Sequence, residues 1–280
     1  MIDINTMLFA PEWGFLRFAV LVGLLISPAL GVIGTLVVTR RISSLAGASA
    51  HAALGGFGLA LFLQRACGLT FVTASGGALA GALIAALTVG IVSITAKERE
   101  DTVIGAVWAL GMSVGLLFLD HTPGYVDWQS YLFGNILLLS QHDLYLTLGL
   151  DLIVLVPTVV FFPQLLAMLF DNTFAGLRGI RGNLIYLAML ALTAVTIVLL
   201  INLVGIMLVI ALLTLPAAAA GCCTVRLKSM MIMSAVFNAL FVVAGLVASS
   251  LFSLPSGPTI VVFAGVVYVT LLGIRKLRKK

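Results

Sequence analysis

Long apolar runs, each separated from the next by a few polar or small residues, repeat from one end of the chain to the other. A bilayer's hydrocarbon core is about 30 Å thick and a helix rises about 1.5 Å per residue, so about 20 apolar residues cross it. Runs of that order lie near 14–38, 44–65, 71–95, 103–119, 143–162, 184–201, 203–221, 230–251 and 259–274. They predict an all-α, polytopic transmembrane bundle of eight to nine spans. The count turns on 203–221, which only the Asn202 joint separates from its neighbour and which Pro216 interrupts by removing a backbone donor. The longest polar stretches, 120–130 and 171–183, leave no room for a soluble domain, so residues 1–280 read as one transmembrane domain.

Composition sharpens this class. Apolar residues make up 62% of the chain and charged ones only 9%, against about 25% charged in a soluble domain. The mean hydropathy is +1.24. A net charge of +5 would ordinarily raise nucleic-acid binding, but the basic residues fall in the gaps between spans. With nine spans, Arg40, Arg41, Lys97, Arg99, Arg178, Arg181, Arg226, Lys228 and the five in Arg275 to Lys280 share one side, leaving Arg17 and Arg65 on the other. Thirteen of 15 is the asymmetry of cytoplasmic loops, which places the C-terminus inside and the N-terminus outside. No nucleic-acid partner follows. Met1 to Trp13 lacks a basic region and a small-residue cleavage site, so no cleaved signal peptide is expected.

Several motifs fail on context. Gly111-Met112-Ser113-Val114-Gly115 spells the nucleophile elbow, but it lies inside an apolar helical run rather than at a strand-to-helix turn. Its four-residue glycine spacing, shared by Gly77 and Gly81, instead suits close helix packing. There is no H-E-x-x-H and no phosphate loop, so the chain is not expected to be an enzyme or to bind ATP, and Cys67, Cys222 and Cys223 have no metal-ligand spacing.

Ionisable groups at membrane depth mark functional candidates. His51 stands among Ala46, Gly47, Ala48, Ser49, Ala50 and Ala52, about 10 Å into the bilayer if its helix begins near Ser44. It is either a core imidazole bonded to a backbone carbonyl or a ligand facing a cavity. Asp151 lies deep in the fifth span, facing a water-filled path or tying two helices together by a hydrogen bond. Asp120, His121 and Asp127 cluster in an outer loop, where they are solvated loop residues or a cation-attracting mouth. Asp143 reads as a helix cap. In the inner loop 170–182, Asp171 or Asn172 can cap a short helix ending at Gly179, from which Phe174 and Leu177 would project. Such a helix is a plain interfacial element or the grip of a cytosolic partner.

Five motifs occur in a telling order: Ser49-Ala50-His51-Ala52; Tyr131-Leu132-Phe133-Gly134-Asn135-Ile136-Leu137 with Asp143-Leu144; Phe170-Asp171 with Ala175 and Gly179; Val204 to Val209 with Leu215-Pro216-Ala217-Ala218; and Pro255-Ser256-Gly257-Pro258-Thr259. Together they resemble the membrane permeases of ATP-binding-cassette importers for zinc, manganese and iron, over nearly the whole chain. The resemblance implies a type II importer fold and a homodimeric or paired permease in the bacterial inner membrane. It also implies cytosolic ATPase subunits that hold the ATP and a periplasmic or lipid-anchored metal-binding protein. This chain would bind no cofactor of its own, its cargo being the divalent metal ion. The loop 171–181, with Asp171, Phe174, Ala175, Leu177 and Gly179, becomes the coupling helix, and His51 matches an intramembrane metal ligand. The acidic residue usual four positions before that histidine is Gly47 here, which would leave open space for water or a hydrated ion. A permease for a chelated metal or other small solute, or a passive channel, is the alternative.

Overall fold

The computed structural model describes residues 14–96, 99–124, 134, 140–170, 176 and 179–278. These residues form ten helices: α1 Gly14–Thr39, α2 Ser44–Arg65, α3 Ala74–Thr95, α4 Glu100–Asp120, α5 Gln141–Val160, α6 Phe162–Phe170, α7 Gly182–Val204, α8 Ile206–Cys223, α9 Leu227–Phe252 and α10 Ser256–Arg278. Nine are long and apolar enough to cross a membrane, and α6, with 9 residues, is not. No strand occurs among the described residues. The chain is a multi-pass, all-helical membrane protein.

The span limits expected from hydropathy hold to within a few residues. The joint before α8 differs: α7 runs through Asn202 to Val204, and the break falls at Gly205, whose φ of 82° suits a residue without a Cβ. Pro216 lies inside α8 without ending it, since a proline removes one ladder bond and leaves the rest of the helix intact. Hydroxyls within the spans are accommodated by their own helices. Ser27, Thr35, Thr158 and Thr193 each donate to the carbonyl four residues back at 2.7–2.8 Å. Two helix starts are capped by side chains, Asp143 as its sequence position suggests and Thr73 in addition. Thr73 accepts from the Gly76 N–H at 3.1 Å, and Asp143 accepts from the Ser140 N–H at 2.7 Å and its hydroxyl at 2.8 Å.

The helices gather into two compact units, one comprising Met1–Val38, Leu132–Val159 and Asn202–Lys280, the other Thr39–Tyr131 and Val160–Ile201. In the first, α8, α9 and α10 pack on one another. Phe241 is fully buried there, stacked on Phe237 at 5.7 Å and edge-on to Phe263 at 6.0 Å. Arg275 donates to the Gly221 carbonyl at 3.1 Å, joining the C-terminal ends of α10 and α8.

In the second unit α2 is the spine, with α3 and α4 packed against it. The glycine pairs expected to form packing ridges do so against this one helix. A Cβ on Gly81 would lie 2.5 Å from the Ala52 carbonyl oxygen, and one on Gly111 would lie 2.7 Å from Ala52 Cα. The elbow-like sequence is thus the ridge of α4, and its close approach to α2 is what brings the candidate site together.

Candidate functional site

His51 projects from the small-residue face of α2 and is half-buried. Its ring stacks on the indole of Trp108 from α4, with centroids 5.0 Å apart and planes inclined by 24°. Its Nδ1 is buried and finds no hydrogen-bond partner among the described residues, and neither does the hydroxyl of the fully buried Ser49. The backbone-carbonyl bond that a core histidine would make at Nδ1 is therefore not formed.

The open space expected beside Gly47 is filled. A Cβ built on Gly47 would run into Cη2 and Cζ3 of Trp108, so the indole occupies the volume that a side chain at 47 would need. The physical cause lies one and two helical turns further along, where Gly111 and Gly115 let α4 approach the α2 backbone closely enough for a large ring to reach across.

Asp151 of α5 is half-buried and accepts a hydrogen bond from the Ala29 N–H of α1 at 3.2 Å. Pro28, immediately before, has no N–H to donate to the α1 ladder, and the N–H bound by Asp151 is the next along the chain. Of the two readings of this carboxylate, the geometry displays the inter-helix tie. Asp120 and His121 stand at the C-terminal end of α4 with side chains 85% and 70% exposed, Asp120 Oδ2 and His121 Nδ1 3.9 Å apart. His121 Nδ1 lies 2.9 Å from its own helix's Leu117 carbonyl. Asp127 lies outside the described residues, as do Asp171, Phe174, Ala175 and Leu177 of the expected coupling helix. Gly179 adopts φ 73°, with its N–H on the Gly176 carbonyl at 3.0 Å. Among the described residues no three His, Cys, Asp or Glu side chains converge as a metal centre.

Two arrangements were not legible in the sequence. Glu100, at the start of α4, accepts from Ser93 at 2.7 Å and from Tyr186 of α7 at 3.3 Å. The Arg40 guanidinium lies 5.2 Å over the Tyr186 ring, and Arg40, Ser93, Met168, Asn183 and Tyr186 line a cavity of about 230 Å³. Elsewhere, Gly134, at φ 60°, abuts the backbone of Val204 and Gly205 so closely that no Cβ fits. Two of the five sequence motifs therefore meet at the α7–α8 break.

Residues 12–274 match the model of the ABC 3 transport family. The chain belongs to that family. An uncharacterized membrane protein of Synechocystis is 36% identical to this ABC 3 member over 98% of the chain and 95% of its own length. The manganese transport system membrane protein MntC of Halalkalibacterium halodurans is 34% identical over 92% of this chain and 86% of its own. Among solved structures, PsaBC from Streptococcus pneumoniae in complex with Fab superposes with a TM-score of 0.80 at 27% identity, covering 96% of this chain and 93% of that one. The resemblance drawn from the five motifs, and the importer-permease fold it implied, hold for this ABC 3 chain.

Proposed function

We propose that this chain is the membrane permease of an ABC importer that carries a divalent transition-metal ion, manganese, zinc or iron, into the cytoplasm, with ATP hydrolysed on a separate subunit. The observation that carries the proposal is the family match across residues 12–274, joined by a manganese-transport relative 34% identical over 92% of the chain. His51 supplies suitable chemistry, since a neutral imidazole binds these ions through one nitrogen. Two copies in a paired permease would offer two nitrogens, with water or carbonyl oxygen completing the shell. The basic residues between spans orient the C-terminus to the cytoplasm. There the segment around Asp171, Phe174, Ala175, Leu177 and Gly179 would seat on the ATPase, while an outer metal-binding protein delivers the ion. Replacement of Phe174 or Leu177 by Asp should then abolish co-purification of the ATPase, and unchanged co-purification in both variants refutes this docking.

Uptake measured ion by ion, in a strain lacking the chain and complemented with wild type or His51→Ala, tests the function. The deletion should lose uptake of one transition metal and regain it with wild type. His51→Ala should restore little, at normal expression and normal ATPase association. If the deletion leaves the uptake of every metal unchanged, the importer reading fails. If His51→Ala transports at the wild-type rate, the ion does not touch this residue, and Asp151, Asp120, His121 and Asp127 are the groups to test next.

A further inference from the structure

We infer that the cavity beside Arg40 holds the phosphate of an anionic phospholipid, gripped by the Arg40 guanidinium. The cavity, of about 230 Å³, is walled by Arg40, Ser93, Met168, Asn183 and Tyr186, all within the second compact unit. A water takes up about 30 Å³, so the space is several times larger than one water needs. Arg40 is half-buried, and its guanidinium stands 5.2 Å over the face of the Tyr186 ring. No hydrogen bond or ion pair to a described residue engages that guanidinium. Glu100, the acid of this cluster, is turned elsewhere: its Oε1 accepts from Ser93 and from the Tyr186 hydroxyl, so the ring meets the cation with its face and the carboxylate with its edge. A guanidinium carries its N–H donors in a rigid fork that matches phosphate oxygens, and one held over an aromatic face keeps the rim of that fork for a ligand.

Two further features point to a phosphate that arrives on a lipid. The cavity lies where helices end, with Arg40 just beyond α1, Ser93 in the last turn of α3 and Asn183 in the first turn of α7, which is the level of lipid headgroups. Exposed apolar side chains flank it. Ile91 stands two residues from Ser93, Phe170 two from Met168 and Leu184 next to Asn183, and acyl chains lying along the protein would cover them. Charge at the same helix ends selects the sign of the lipid: Arg41, Arg99 and Arg181 are exposed there in addition to Arg40, against the acids Glu100 and Asp101. Anionic headgroups gather at such basic ends. The exposed Asn183 adds an amide able to donate to the same phosphate.

The test uses the purified full-length chain in detergent, with dioleoylphosphatidylglycerol, dioleoylphosphatidylcholine and inorganic phosphate as probes and native mass spectrometry to count bound lipid. Wild type should bind the phosphatidylglycerol more tightly than the phosphatidylcholine, and equal binding of the two would overturn the anionic preference. One arginine at a membrane surface changes the Kd for anionic lipid about fivefold, so Arg40→Gln should weaken phosphatidylglycerol by more than about fivefold and Arg41→Gln, outside the cavity, by no more than that. Equal weakening in the two variants would reduce the effect to general surface attraction and overturn the site. Asn183→Asp places an anion in the cavity wall at an exposed position, so it should also lose the lipid, and it decides alone should Arg40→Gln fail to fold. Unchanged binding in Asn183→Asp would overturn the site. Displacement of the lipid by inorganic phosphate at equal concentration would assign the cavity to free phosphate and overturn the lipid.

Discussion

The packing of α4 on α2 makes a quantitative prediction at two glycines of the same helix. A methyl group at Gly111 would stand 2.7 Å from Ala52 Cα and 2.9 Å from its nitrogen, whereas one at Gly105 would meet nothing within 4 Å. Carbon atoms rest at about 3.5–4.0 Å, so Gly111→Ala requires α4 to retreat from α2 by roughly 1 Å or the α2 backbone to yield. Overpacking of this kind costs about 1–3 kcal/mol. The intrinsic gain of alanine over glycine in a helix, about 0.8–1.0 kcal/mol, applies to both substitutions and cancels between them. Gly111→Ala should therefore be less stable than Gly105→Ala by about 1–3 kcal/mol, in reversible unfolding by sodium dodecyl sulfate followed by circular dichroism. Trp108 lies one turn before Gly111 on α4, so the same retreat should loosen its stack on His51 in Gly111→Ala but not in Gly105→Ala. Equal stability of the two variants would refute the claim that α2 and α4 touch through bare backbone.

Three other outcomes follow. Asp151→Leu should cost about 1–3 kcal/mol by removing the acceptor that ties α5 to the Ala29 N–H of α1, while Asp151→Asn, which keeps an acceptor, should be milder; equal losses in the unfolding assay would argue against the inter-helix tie. Tyr186→Phe and Glu100→Gln should be non-additive, with a coupling of about 0.5–3 kcal/mol in a double-mutant cycle, and additivity would dissolve that cluster. A reporter joined after Lys280 should be active only in its cytoplasmic form, and activity of a periplasmic reporter there would reverse the assigned orientation.

The spans could be read from the sequence because hydropathy is summed over about 20 residues and tolerates local error. Gly205 was missed because a break is fixed by one residue's backbone angle, and apolar character continues across it. The glycine ridges were legible as spacing, but their shared partner was not, since spacing names a face and not what covers it. His51 was visible as an ionisable group among alanines, and its neighbour was not. Trp108 sits in an apolar run where an aromatic ring is unremarkable, and nothing local to Gly47 shows that a ring from another helix fills its space. Glu100, Tyr186 and Arg40 likewise come from three separated segments. Asp151 could be judged either way until its partner was seen to be the N–H beyond a proline.

The interlocking of Gly47 with Trp108 constrains the order in which this membrane interior can change over generations. A carboxylate cannot enter at 47 while the indole stands there, but a small residue at 108 opens a space beside His51 that water can fill. Mutational routes to an acidic site in this helix thus pass through position 108 first, and routes away from one pass through 47 first. Relatives with Asp or Glu at the position of Gly47 are accordingly expected to carry a small residue at the position of Trp108, and a lineage that holds both large groups must have moved α4 outward.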